Sequence, residues 1–316
     1  MADSDTIDPN PATGSQVLSQ GFWEFNRFYG SWRPGKYMFP IDEEETNRMD
    51  IFHKVFMVVR NDRLYTYPPH PTAQAPRIMD LGTGTGIWAI NVAEDFLPNS
   101  HIMAIDLNQI QPPMIPRNVI IKQYDLEDAI WEGLLKDCHI IHMRMLLGSI
   151  QTDLWSQVYK NILQHLVPLE GYFEQVELDW VPRWDGQDIP QNSALARWSD
   201  CFLQGLDNAN RSARISSDDR KRLLEDAGFV DVREQVIRCN ISPWTTIPHE
   251  NEKAQWLNLG FGLAMNALSF GPMIKQLGMR MDQVIELNTA AITESRQLRY
   301  HAYYNIHIWT ARRPPS

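Results

Sequence analysis

The stretch RIMDLGTGTGIWAI, residues 77–90, runs from short apolar residues into an aspartate, then three glycines alternating with threonines, then an apolar helix-like segment. That order is a strand, a tight turn and a helix, the opening of a nucleotide-binding α/β unit. A dinucleotide loop reads G-x-G-x-x-G, and its third glycine lets the helix pack closely on the strand. Here the glycines are Gly82, Gly84 and Gly86, and Ile87 stands where that third glycine belongs. A β-branched residue there holds the helix off the strand, so the spacing argues against a dinucleotide.

Working outward, strands and helices alternate. Strands are expected around residues 77–80, in HIMAIDL ending at Asp106, in VIIKQYDL ending at Asp125, in CHIIHM before Arg144, and in YFEQVEL over 172–178. Helices fall between them at 87–96 and 155–166. This rhythm predicts a doubly wound, mostly parallel sheet with helices on both faces. After Trp180 the rhythm breaks into a helix within 191–213 and a helix–Gly228–strand unit. A wholly helical block over 244–299 and a closing strand, YYNIHIWTARR, follow. Before the sheet, Asp42 is placed to cap a helix whose first turn holds Glu43, Glu44 and Glu45, and Met49, Phe52, Val55 and Phe56 recur at helical spacing.

The expected organisation is a disordered tail (1–20), an N-terminal helical and aromatic lid (21–70) and a core (71–182). A helical cap insertion (183–215), a core helix and strand (216–242), a second cap insertion (243–299) and a final strand with its tail (300–316) complete it. The two insertions read as a cover over the carboxyl edge of the sheet, with Trp180, Glu177 and Asp179 as its floor. The prolines Pro68, Pro69, Pro71 and Pro76 mark the linker into the core.

Composition bounds the function. The chain has 316 residues, 43% apolar and 22% charged, with a net charge of −10, which fits a globular protein and argues against gripping nucleic acid by charge alone. The basic run Arg220-Lys221-Arg222 is bracketed by acids and reads as a solvated helix face, with a nuclear address as the alternative. Cys138, Cys201 and Cys239 lie far apart without C-x-x-C, so neither a disulfide framework nor a zinc site is expected, and no histidine shows metal spacing. The apolar segment 256–270, interrupted by Asn258 and Asn266, is too short to span a membrane, and the polar first twenty residues do not look like a signal peptide.

In an open α/β sheet the ligand lies beyond the carboxyl ends of the strands. Asp80, Asp106, Asp125 and the segment from His142 to Arg144 all fall there. Asp106 can accept both hydroxyls of a ribose, and Asp125 can accept an adenine amino group while Leu126 packs on the ring. One ribose, one adenine and no phosphates describe S-adenosylmethionine, whose positive sulfur suits an acidic site.

DLGTGTG, the acidic end of the second strand and YDLED resemble the motifs of class I S-adenosylmethionine-dependent methyltransferases. RPGKYMFPIDEEETNRMDIFHKVF, DLNQIQPP, YFEQVELDW and HAYYNIHIWTARRP are more particular, and with them nearly the whole chain from Phe28 resembles the LaeA-like fungal methyltransferases. The resemblance implies a Rossmann-like sheet with an antiparallel last strand, S-adenosylmethionine as cofactor, velvet-family partners and a nuclear location, with the cytoplasm as a second one. It also implies that Arg33 and Tyr37 form a lid over the cofactor. The cofactor set is then Asp80, Gly82, Gly84, Gly86, Asp106, Leu107, Asp125, Leu126, Arg144, Tyr37 and Arg33.

For catalysis, His142, Glu177 and Asp179 are placed to reach an acceptor that must lose a proton. An acceptor that need not lose one requires only positioning. Three readings stay open: a regulator acting with velvet partners, a small-molecule methyltransferase of a biosynthetic pathway, and a cofactor-binding scaffold.

Overall fold

The computed structural model describes residues 21–66, 73–186 and 189–315. The expected tail over 1–20 and the prolines Pro68, Pro69 and Pro71 lie outside the described residues. The chain enters through a hairpin, β1 (Gly21–Glu24) and β2 (Arg27–Gly30), where the sequence suggested only an aromatic lid. Phe25 and Asn26 both have positive φ, the turn that matches the twist of two paired strands. Helix α1 (Glu43–Val59) follows with the expected cap: Asp42 accepts the Glu45 amide at 3.0 Å, and its carboxylate also binds Arg27 at 2.7 Å.

The core is a seven-stranded sheet. Its strands are β3 (Arg77–Leu81), β4 (His101–Asp106), β5 (Val119–Gln123), β6 (Ile140–Arg144), β7 (Tyr172–Trp184), β8 (Val230–Asn240) and β9 (Ala302–Arg312). The order is β5-β4-β3-β6-β7-β9-β8, and β9 runs antiparallel to both its neighbours, β7 and β8. Strand residues alternate between faces. Ile78, Ile102 and Ile140 therefore join one buried cluster with Trp88 and Val92, while Met79, Ile105 and Ile141 join the other. Both faces are covered. The order reverses between β3 and β6, so the carboxyl ends of these two strands form the crevice where such sheets bind ligands.

Helix α2 (Ile87–Asn91) leads into a π-helical turn over Val92–Phe96, and α3 (Trp155–His165) crosses between β6 and β7. Helices α4 (Ala194–Asn208), α5 (Ser217–Ala227), α6 (Pro248–Ser269) and α7 (Met281–Ser295) complete the chain. With the π-helical turn after it, α6 is long and apolar enough to cross a membrane, a length the sequence did not suggest. Two thirds of its most apolar window is buried, as in a core helix.

Two differences from the sequence reading bear on the site. The fifth strand continues through Trp184 rather than ending near 178, which puts Glu177 and Asp179 inside β7. The basic run is divided: Arg220 is buried over Trp155 and donates to Tyr159, while Lys221 and Arg222 pair with Glu225 and Asp219 at the surface.

Candidate cofactor and acceptor cleft

The loop after β3 is shaped by hydrogen bonds its own sequence supplies. Asp80, buried at the end of the strand, accepts the Thr83 hydroxyl at 2.6 Å, and the Thr83 amide donates to the Ile105 carbonyl at 2.8 Å. Gly82 and Gly84 have φ of +68° and +58°, and a Cβ on Gly82 would lie 2.4 Å from the Leu146 side chain. Only glycine meets both demands. Gly86 caps α2 in the left-handed region, and Ile87 lines the cleft. Asp106 closes the loop from the next strand: one carboxylate oxygen accepts the Gly84 amide and the other the Asn108 amide, each at 2.8 Å. Each oxygen keeps a lone pair for a ligand hydroxyl. Burial pushes the Asp106 carboxyl up to about 6, assisted by the charge of Asp80 and opposed by donation from Asn108 and Gly84.

On the next strand, one oxygen of Asp125 accepts the Glu127 amide at 2.9 Å. The other is buried without a hydrogen-bond donor, although Lys36 Nζ lies 3.3 Å away. That open acceptor, beside Leu107 and Leu126, suits an adenine amino group and ring.

Of the expected cofactor set, Asp80, Gly82, Gly84, Asp106, Leu107, Asp125, Leu126, Arg144 and Tyr37 all border one cleft. Gly86 and Arg33 do not. Gly86 serves as the cap of α2, and the Arg33 guanidinium lies at the surface, 3.3 Å from Asp128 and with its Nε 4.0 Å from the Asp125 carboxylate. Lys36, three residues on, is the basic residue of that segment in the cleft, bound to Glu127 at 2.5 Å. The sequence reading also missed Arg48, Met49, Phe52 and Phe56, which give α1 its cleft-facing side, though the helical spacing of Met49, Phe52 and Phe56 was a usable signal. Arg144 lies over the Phe56 ring at 4.9 Å and touches His53 Nδ1 at 3.2 Å. It makes no ion pair among the described residues, and burial pulls its guanidinium down to about 10. A ligand carboxylate is the partner this cation lacks.

The expected catalytic residues separate. His142 borders the cleft, but it is buried, its ring stacked on Trp88 at 3.9 Å and its Nδ1 2.8 Å from Asp80. Glu177 and Asp179 do not border it. Glu177 accepts the Leu146 and Leu147 amides and a Gln175 side-chain N–H, and burial pushes its carboxyl up to about 7. Asp179 binds Arg183 at 2.6 Å. The late helices also fall short of the expected cover, since no residue of α4, α6 or α7 borders the cleft and Trp180 packs against Phe52, Trp198 and Phe202 instead. Among the described residues no cluster of His, Cys, Asp or Glu could hold a metal.

Residues 51–234 match the family described as a methyltransferase domain. The chain is 53% identical over 299 residues to the Secondary metabolism regulator laeA of Fusarium oxysporum f. sp. lycopersici, covering 95% of this chain and 94% of that protein. It is 37% identical over 292 residues to the Protein-methionine methyltransferase laeA of Emericella nidulans, covering 92% of this chain and 76% of that protein. Among solved structures, the cyclopropane synthase MmaA2 from Mycobacterium tuberculosis aligns with a TM-score of 0.48 at 12% identity, over 83% of this chain and 84% of that one, too distant to carry an argument.

The fold and the cleft define an S-adenosylmethionine-dependent methyltransferase. Within that class, the chain belongs to the family of LaeA-like secondary metabolism regulators. The residues fit the cofactor: Asp106 would hold the ribose, Asp125 with Leu107 and Leu126 the adenine, and Arg144 the methionyl carboxylate. When bound, S-adenosylmethionine supplies an electrophilic methyl group on a positively charged sulfur.

Proposed function

We propose that the chain methylates the thioether of a methionine in a protein acceptor, and that it regulates secondary metabolism in the nucleus together with velvet-family proteins. The observation that carries this reading is the apolar wall of the cleft. Met49, Phe52, Phe56 and Met145 border the cleft; Glu177 and Asp179 lie outside it. His142, whose Nδ1 is held by Asp80 and whose Nε2 has no hydrogen-bond partner among the described residues, is the one expected base that reaches it. A thioether attacks through a lone pair and loses no proton, so it needs orientation and dry surroundings rather than a base. The name of the Emericella nidulans relative supports the same acceptor class. The partner and the location rest on the family resemblance.

The test is affinity purification from a native host, followed by incubation of the recovered complex with isotope-labelled S-adenosylmethionine and mass spectrometry. The reading expects velvet proteins in the complex and label on methionine. Label confined to lysine, arginine or a small molecule would remove the thioether assignment, and recovery without velvet proteins would remove the partnership.

A further inference from the structure

The loop after β6 borders the cleft through Met145, Leu146, Ser149 and Ile150. It starts with a residue in an unfavourable conformation: Met145 is not glycine, yet its φ is +59°. Such a residue persists only where its surroundings over-determine it. The turn it makes presents two successive backbone amides, Leu146 and Leu147, to one acceptor, the Glu177 carboxylate, at 3.1 and 3.3 Å. Successive N–H groups in such a turn form a natural anion cradle, and here the anion is a side chain of the protein itself.

Glu177 is held in turn. Gln175, two residues earlier on the same face of β7, donates to it at 2.9 Å. Gln175 accepts the Tyr159 hydroxyl of α3 at 2.6 Å, and Tyr159 accepts from Arg220 of α5 at 2.9 Å. All four side chains are buried. The chain of hydrogen bonds therefore runs from a helix packed on the sheet to the loop at the cleft. One contact further on, the Leu146 side chain occupies the space a Cβ on Gly82 would need. The far end of the loop is fixed separately: Glu127 accepts the Gln151 amide at 2.9 Å, and Arg211 donates both to Glu127 and to the Ser149 carbonyl.

We infer that Glu177 is a positioning residue for methyl transfer: its carboxylate fixes the Leu146–Leu147 turn, and through Leu146 it sets the glycine loop against which the cofactor lies. This rests on the methyltransferase reading for its consequence, though not for the geometry. Glu177 touches neither the cleft nor a reacting atom, so it is distinct from the general base the sequence suggested.

The test uses the full chain with Glu177→Ala and Glu177→Gln. Hydrogen exchange of the peptide containing residues 145–150 is measured alongside S-adenosylhomocysteine affinity by calorimetry. Glu177→Ala is expected to speed exchange at Leu146 and Leu147 and to weaken S-adenosylhomocysteine binding about tenfold, the scale of lost hydrogen bonds to a charged group. Glu177→Gln keeps an acceptor oxygen in the turn and is expected to retain most of both. Should Glu177→Ala fail to fold, Tyr159→Phe carries the same test, since it frees Gln175 and should speed exchange at the same two amides. Unchanged exchange and affinity in a folded Glu177→Ala overturns the inference. So does a Glu177→Gln variant with parental exchange and affinity but no methyl transfer, which would mark a base. If the parent itself fails to bind S-adenosylhomocysteine, the methyltransferase reading falls while the exchange arm still decides the grip on the turn.

Discussion

The segment from Lys36 to Phe56 and the helices α4, α6 and α7 stand in series behind the cleft. Met49, Phe52 and Phe56 border it, and α6 lies behind them, close enough that a Cβ on Gly260 would sit 3.0 Å from the Phe52 ring. Behind α6, Trp198 of α4 meets Phe261 edge-on and stacks on Phe202 at 5.2 Å. Both regions carry apolar stripes at helical spacing, and from sequence both read as cover. A stripe reports burial of a helix face without reporting what it is buried against.

The contrast can be broken most forcefully from the rear. Trp198 is fully buried and donates to Ser269 at 2.9 Å. Trp198→Ala is expected to cost about 3–5 kcal/mol of stability by thermal or urea unfolding, with the cofactor affinity of the folded fraction unchanged. Lost affinity in a variant of parental stability would mean the rear helices form the cleft after all.

Asp106→Ala should do the opposite, weakening S-adenosylhomocysteine binding by about 2 kcal/mol in calorimetry. The global unfolding transition should move much less than in Trp198→Ala. Parental affinity would show that the carboxylate serves only the Gly84 and Asn108 amides.

The next expectation is in pH. Burial raises the Asp106 carboxyl to about 6, and ribose hydroxyls and a positive sulfur favour its anion, so cofactor binding should strengthen as pH rises through 6. Below 6 it should weaken by up to about tenfold per unit. The sign for folding of the free protein is reversed. An acid whose folded pKa is raised stabilises the fold fully below its unfolded value of 3.8, and that contribution is lost as pH rises through about 6. Calorimetry across pH 5 to 8 checks the first, and Asp106→Asn should flatten it.

The smallest effect probes the joint between the two regions. Gly260→Ala gains helix propensity but crowds the Phe52 ring, so affinity should fall by less than about 1 kcal/mol with stability nearly unchanged. A large loss of affinity would mean the wall is rigidly set by α6.

The glycine loop, Asp106 and Asp125 were legible because their geometry is local: a strand end, a positive-φ turn and the next two strand ends follow from the chain order. Lys36 and Arg48 were not, because nothing in the N-terminal segment says which side chain will turn toward a loop some fifty to ninety residues away. Glu177 and Asp179 were misread for a simpler reason. Polar residues near an expected strand end look alike, and β7 runs on to Trp184, so both fall within its paired length. The β1–β2 hairpin was hidden by its turn, Phe25-Asn26, which lacks the glycine that marks most turns of that type.

The G-x-G-x-G loop with Asp106 is built for an adenosine-bearing sulfonium and not for a dinucleotide. Titrating the full chain with S-adenosylhomocysteine and with NAD in the calorimeter tests it most directly. Saturable binding of S-adenosylhomocysteine, diminished in Asp106→Ala, and no heat with NAD are expected. Tight NAD binding with no response to S-adenosylhomocysteine would contradict it.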